Sequence, residues 1–334
     1  MRLEDVCIKG TSNIRQKDVN ESGRYPVYGA AGPVGFMNSF QYDEPYVGVV
    51  KDGAGIGRAT YLPSNSSIIG TIQALIPKNN VLPKYLYYAV SSMHLEKYYS
   101  GATIPHIYFK NYKHERFVLV SKKEQEQIIW RFSLLEKMIS NKQQQLLKLN
   151  ELIKARFVEM FGDPVNNSKD QPVDKFINIV KLQRGFDLPV KKRDSTGKIP
   201  VFGSNGIVGY HTEAKAKNGI ITGRSETIGK VYRKSGEYWP LNTSLFSVDT
   251  HGNNIIFLQV LMQLFHLERF YNGAGVPTLN RNDVHRQKII KISLDKQNEF
   301  ANFVQQVDKS KVAVQKSLDE TQKLYDSLMQ EYFG

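Results

Sequence analysis

The clearest signal along the chain is a heptad alternation of apolar and polar positions that occurs twice. Ile128, Phe132, Leu135, Ile139, Lys142, Leu146, Leu149, Ile153 and Arg156 step by 4, 3, 4 and 3 residues in turn. Phe300, Val304, Val307, Lys311, Val314, Leu318, Thr321, Tyr325 and Leu328 repeat the same steps. This period keeps the set on one helix face and marks a coiled-coil seam. Neither stretch contains Pro or Gly before its end, so the pattern predicts two long helices, over about 122–161 and 295–333. Each seam carries one lysine, Lys142 or Lys311, an intrusion that sets register at some cost in stability.

Outside these helices the pattern changes to short apolar runs between turn residues, as in Tyr46–Val50 and Gly219–Thr222, which read as strands. One shorter helix interrupts each such region, near 82–99 and 253–271, the first opened by Pro83. The Pro- and Asn-rich stretch Asp163–Pro172 reads as a linker.

The alternation is doubled because the whole chain is. His94-Leu95-Glu96-Lys97-Tyr98-Tyr99-Ser100-Gly101-Ala102 returns 172 positions later as His266-Leu267-Glu268-Arg269-Phe270-Tyr271-Asn272-Gly273-Ala274. The same offset maps Ile56-Gly57 onto Ile228-Gly229 and Phe161-Gly162 onto Phe333-Gly334. Upstream, Tyr25–Phe36 pairs with Ile199–Tyr210 after a small drift. The reading is therefore α+β: two globular domains of mixed strands with a helix each, separated by two long helices. The first helix runs from domain one to domain two and the second runs back, so the expected pair is an antiparallel coiled coil with pseudo-two-fold symmetry. The boundaries are 1–121, 122–162, 163–293 and 294–334.

A chain of 334 residues is long enough for two such cores. Its net charge is +13, shared as +6 over residues 1–167 and +7 over 168–334. Two equally basic halves point to a polyanion gripped in two places. The single cysteine, Cys7, rules out an internal disulfide and a Cys-rich zinc site, and no metal is expected. The N-terminus lacks a signal-peptide pattern. No apolar run nears the roughly 20 residues of a membrane helix. The expected location is the cytoplasm, with no membrane partner.

Catalytic motifs are missing. Asp52-Gly53-Ala54-Gly55-Ile56-Gly57 looks like a loop that cradles S-adenosylmethionine or a dinucleotide. Its counterpart, Gly223-Arg224-Ser225-Glu226-Thr227-Ile228-Gly229, keeps only the last glycine, so a strand–turn–strand reading fits both copies better. There is no P-loop, no Gly-x-Ser-x-Gly elbow and no His-Glu-x-x-His helix. His94 and His266 precede Leu-Glu on a helix, where capping or packing is the simpler role. No Asn/Asp-Pro-Pro-aromatic tetrapeptide, used by base-methylating enzymes, occurs. The chain reads as a binder rather than an enzyme.

Cations and amides on loops between strands suit phosphate and base-edge contacts. In the first copy the candidates are Lys51, Arg58, Thr71 and Gln73. In the second they are Arg224, Ser225, Lys230, Asn242 and Thr243, together with the cluster Lys191-Lys192-Arg193. A second shared loop follows each inner helix and adds Thr103, His106 and Thr278. Glycines, prolines and apolar positions repeat between the copies while loop side chains differ, as expected of two readers built on one scaffold.

Taken together, Ile199–Gly206, Asp52–Gly57, Ser100–Pro105 and the helix end Ala155–Gly162, duplicated and in this order, resemble the specificity subunit of type I DNA restriction–modification enzymes. The resemblance covers essentially the whole chain. It implies a non-catalytic subunit with two target-recognition domains, each reading one half of a split double-stranded DNA target, and helices that act as a ruler. At about 1.5 Å per residue such a helix is roughly 57 Å long, and half-sites and gap together fit within roughly 17 base pairs. The implied partners are two modification (methyltransferase) subunits and restriction (motor-nuclease) subunits. S-adenosylmethionine, ATP and Mg would reside on those partners and none on this chain. The chain departs from the family in a short N-terminal segment before the first Pro-Val-Tyr-Gly. Two other classes are weighed against this one: a self-sufficient DNA methyltransferase, which needs the absent tetrapeptide and a cofactor loop in both copies, and a coiled-coil adaptor that does not bind DNA.

Overall fold

The computed structural model describes residues 1–101, 105–194, 196–272 and 278–334. The first half holds α1 (Leu3–Val6), β1 (Cys7–Gly10), β2 (Tyr25–Gly29), β3 (Gly32–Met37), β4 (Tyr46–Val50), β5 (Ala59–Leu62), β6 (Ser67–Ile68) and β7 (Ile72–Pro77). Helices α2 (Pro83–Ser92), α3 (Phe109–Tyr112) and the long α4 (Lys122–Phe161) follow. The second half holds β8 (Val173–Lys175), α5 (Phe176–Ile179), β9 (Lys181–Arg184), β10 (Ile199–Gly203), β11 (Gly206–His211), β12 (Ala216–Gly223), β13 (Val231–Pro240) and β14 (Ser244–Asp249). After it come α6 (Ile255–Leu264), β15 (Tyr271–Asn272), β16 (Thr278–Leu279), α7 (Arg281–His285), β17 (Lys288–Ile290) and the long α8 (Leu294–Phe333). The chain forms two compact units, Met1–Gln143 with Lys316–Gly334, and Gln144–Gln315. Each long helix thus contributes one segment to each unit.

The two units share a strand order. In the second, one sheet runs β11-β10-β13-β12-β14-β9. In the first, the corresponding order is split into β3-β2-β6 and β5-β4-β7-β1. The parallel pairing Val201↔Trp239 and Phe202↔Pro240 has its counterpart in Val27↔Ser67 and Tyr28↔Ile68. What divides the first unit's sheet is local: β5 and β6 cover the stretch that β13 spans unbroken, and Pro63 and the positive-φ Asn65 lie between them. Proline offers no N–H to a ladder, so the strand ends there.

Each unit packs its sheet against the shorter helix and against segments of both long helices. In the first, Phe132 is fully buried, with ring centroids 4.7 Å from Tyr88 and 5.1 Å from Tyr325. In the second, Phe157 lies 5.6 Å from Phe257 and 5.4 Å from Phe300. The start of α4 thus meets the end of α8 in one unit, and the end of α4 meets the start of α8 in the other. This is the antiparallel pairing expected from chain order. The seam turns inward throughout: Ile128, Phe132, Leu135, Ile153, Phe300, Val304 and Val307 are buried, and Ile139, Leu146, Leu149, Val314, Leu318, Tyr325 and Leu328 are half-buried.

One expectation changes. The shorter helices do not run unbroken over 82–99 and 253–271. Each stops at Ser92 or Leu264, and the chain passes through a left-handed histidine, His94 (φ +50) or His266 (φ +55), into a separate 3-10 turn. Histidine is among the few non-glycine residues enriched in that conformation. Each ring is tied two residues on, His94 Nδ1 to Glu96 Oε1 at 3.2 Å and His266 Nδ1 to Glu268 Oε1 at 2.9 Å.

Candidate nucleic-acid interface

Both units build the same strand junction. In the first, Lys51 N donates to Thr71 O at 3.0 Å, and Ile107 N donates to Lys51 O at 2.9 Å. In the second, Arg224 N donates to Thr243 O at 2.9 Å, and Leu279 N donates to Arg224 O at 2.7 Å. These paired bonds make Lys51 and Arg224 equivalent. Each is a half-buried cation just past a central strand, beside a threonine and beside the returning loop that carries His106 or Thr278. Of the candidates read from sequence, the junctions bring together Lys51, Thr71 and His106 in one unit and Arg224, Ser225, Thr243 and Thr278 in the other.

The side chains on this shared frame differ. In the first unit Asp52 pairs with His106 Nδ1, and the His106 ring lies 4.0 Å from that of Tyr108. Burial, and then the nearby ammonium of Lys9, holds the Lys51 amine below the usual lysine range. In the second unit Ser225 bridges to Thr278, and Arg224 Nη1 reaches Asn242 O at 3.5 Å. A cleft of 430 Å³ opens there, lined by Arg184, Arg224, Leu245, Asn280 and Arg281 among others. Arg184, Asn280 and Arg281 were not legible as site residues, since they converge only through strand pairing and the turn into α7. Lys9 was missed for the same reason.

The other candidates are placed as follows. Arg58 is exposed and donates to Ala30 O beside a 380 Å³ cleft that also takes in Tyr28 and Thr60. Lys191 and Lys192 are exposed on a 3-10 turn. Arg193 is half-buried, its guanidinium directed to the carbonyls of Leu188 and Val208. It lines a small cleft with Asn242 and Thr243. Lys230 Nζ donates to Asn205 Oδ1 at 2.6 Å. Thr103 lies outside the described residues. Gln73 is a correction: it is only 4% exposed, and its amide donates to Gly10 O and to Ala74 O. A central strand position turned it into the sheet, so it offers nothing to a ligand.

The glycine-rich turn also has a structural reason. Gly57 has φ +80, and a Cβ there would lie 2.4 Å from Glu96 N. Gly229 has φ +89, and its Cβ would meet Glu268 Oε2. The glycine shared by both copies lets the turn sit on the His-Leu-Glu segment of the same unit. Strands β4 and β5 flank it, as the strand–turn–strand reading expects. No helix among the described residues is long and apolar enough to cross a membrane.

A search of curated proteins finds no match. Among solved structures, the chain is similar over its full length to the type I restriction–modification S subunit from M. genitalium, at 17% identity and a TM-score of 0.65, covering 95% of that chain. It is similar again to a chain from a structural study of complex assembly and conformational transition of the type I R-M system, at 12% identity, a TM-score of 0.59 and 96% coverage. At these identities the likeness speaks to fold. The family model described as type I restriction modification DNA specificity domain matches twice, over residues 1–151 and 175–322, once on each copy of the duplication. With most of its length matched, the chain belongs to the type I restriction–modification DNA specificity family.

Proposed function

We propose that this chain is the sequence-reading subunit of a type I restriction–modification complex, each unit reading one half of a bipartite double-stranded DNA target. The observation that carries this is the pair of junctions at Lys51 and Arg224, with one backbone frame and two sets of side chains. A frame held constant while Asp52, His106 and Tyr108 are exchanged for Ser225, Thr278 and Asn280 is what two readers of unlike sequences require. The paired helices set the spacing between half-sites. The chain carries no chemistry of its own and acts as a scaffold: modification subunits supply S-adenosylmethionine-dependent adenine methylation, and restriction subunits supply ATP- and Mg-dependent translocation and cleavage. The assembly named for one of the similar structures supports such partners for this one.

The test is a domain exchange read by methylation mapping. Replacing residues 170–292 with the corresponding segment of a relative is expected to change one half of the methylated sequence and leave the other intact. Changes in both halves, or methylation unaffected by deleting the chain, would count against the proposal.

A further inference from the structure

The cleft at the second unit's junction has an unusual charge balance. Arg184, Arg224 and Arg281 line it together with Leu245, Thr278, Leu279 and Asn280, and no carboxylate is among them. Arg184 ends β9 opposite Leu245, and its guanidinium reaches Asp187 only at 3.8 Å across an exposed edge. Arg224 and Arg281 make no ion pair among the described residues. Leu245 and Leu279 are each 1% exposed and form an apolar floor, with Arg224 half-buried beside it and Arg184 and Arg281 exposed at its rim. Arg281 opens α7 just after Asn280, whose side chain caps that helix by accepting from Asn282 N. The cap and Leu279, which is fixed by its bond to Arg224 O, set where Arg281 begins.

Three guanidinium groups around one concavity repel one another, and the arrangement is relieved by an anion. A base edge is neutral and engages one guanidinium fork; a phosphodiester carries charge and accepts from several forks at once. We propose that this cleft seats one phosphate of the DNA backbone, so that Arg184, Arg224 and Arg281 are positioning residues rather than base readers. The first unit keeps the cation of the shared frame as Lys51, while Thr11 and Phe109 stand where the second unit has Arg184 and Arg281. Lys51 and Lys9 lie close enough there to interact, and the desolvated Lys51 amine is held below its usual range. The cation kept at Lys51 and Arg224 while neighbouring side chains diverge fits a sequence-independent contact, as a contact to phosphate is. This inference rests on the DNA-reading function proposed above and assigns the division of labour within that site.

The test is duplex binding by the full chain, alone and as the complex purified with it, over a range of salt, for wild type, Arg224→Gln, Arg281→Gln and Arg281→Lys. Each lost phosphate contact is expected to reduce the slope of log affinity against log salt by about 0.9, so the advantage of wild type shrinks about threefold between about 50 and 200 mM salt. The sequence selected from a random pool stays the same, and Arg281→Lys recovers most of the slope, which a merely structural role would not explain. A change in the selected base at one position would overturn the inference in favour of base reading. An unchanged slope in folded variants, beside salt-dependent wild-type binding, would overturn it too. Wild-type binding that ignores salt would overturn the DNA-reading function and this inference with it.

Discussion

Gln125 Oε1 accepts a hydrogen bond from Leu82 N at 2.8 Å, joining the first turn of α4 to the N-cap of α2. Its amide donates to Asn80 O and Val120 O, both at 3.0 Å. Gln297 repeats this in the second unit, accepting from Asn254 N at 2.9 Å and donating to Asn253 Oδ1 and Ile292 O. Both glutamines are essentially unexposed. Gln125→Leu leaves a buried N–H and two carbonyls without this partner, so we expect a loss of about 2–3 kcal/mol in urea unfolding. Gln297→Leu should cost a similar amount. Wild-type stability in both variants would show that the latch is incidental.

Gly57 and Gly229 allow a sharper comparison, because the same substitution meets different atoms. Both positions have positive φ, which costs an alanine about 1–2 kcal/mol. At Gly57 the added methyl runs into the backbone of Glu96, which cannot turn aside, whereas at Gly229 it meets the end of the Glu268 side chain. Gly57→Ala should therefore be the more destabilising by about 1 kcal/mol or more. Equal losses, measured by denaturant midpoint, would mean that the segment around Glu96 shifts freely.

Phe132 and Phe300 test whether each unit depends on its long-helix segments. Phe132→Ala removes a fully buried ring from the cluster with Tyr88, Tyr325 and Phe333. Phe300→Ala does the same beside Phe157, Phe161 and Phe257. Each should cost about 3–5 kcal/mol. Hydrogen exchange read by peptide should place the first loss in the unit of residues 1–143 and 316–334, and the second in that of residues 144–315. Uniform loss across the chain in both variants would indicate a single cooperative core instead.

Cys7 is buried, and burial pushes its thiol up to about 12. Sγ donates to Leu3 O at 3.3 Å. The folded protein should resist a thiolate-specific reagent at pH 8 and react only as it unfolds, with a rate that follows urea concentration. The sign for stability follows from a raised value. The contribution is full below the ordinary thiol range, near pH 9, and is lost as pH climbs from there toward 12. Fast labelling under native conditions would contradict this.

How much of this was legible varied with the range of the interaction. The seam from Ile128 to Leu328 was readable because a helix converts spacing in sequence directly into a face in space. The repeat at His94 and His266 was visible, yet the left-handed break at each was not, since periodicity does not report φ. Gln125 and Gln297 stand 172 positions apart like the other repeated residues, but a glutamine on a polar-looking helix gives no sign of burial. Gln73 is a further instance: a polar residue near a loop that the sheet takes inside.

The sequence by itself determined that the molecule is a duplication, that two long helices carry an inward seam, and that the positive charge is divided evenly between the halves. These are properties of local periodicity and composition, which need no knowledge of what packs on what. Only the tertiary structure decided that Lys51 and Arg224 are equivalent, that Arg184 and Arg281 join Arg224 at one cleft, and that the glycine-rich turn packs on the His-Leu-Glu segment of its own unit. Those relations pass through strand pairing between distant segments, where a side chain's neighbours are set by register and by the course of the returning loop.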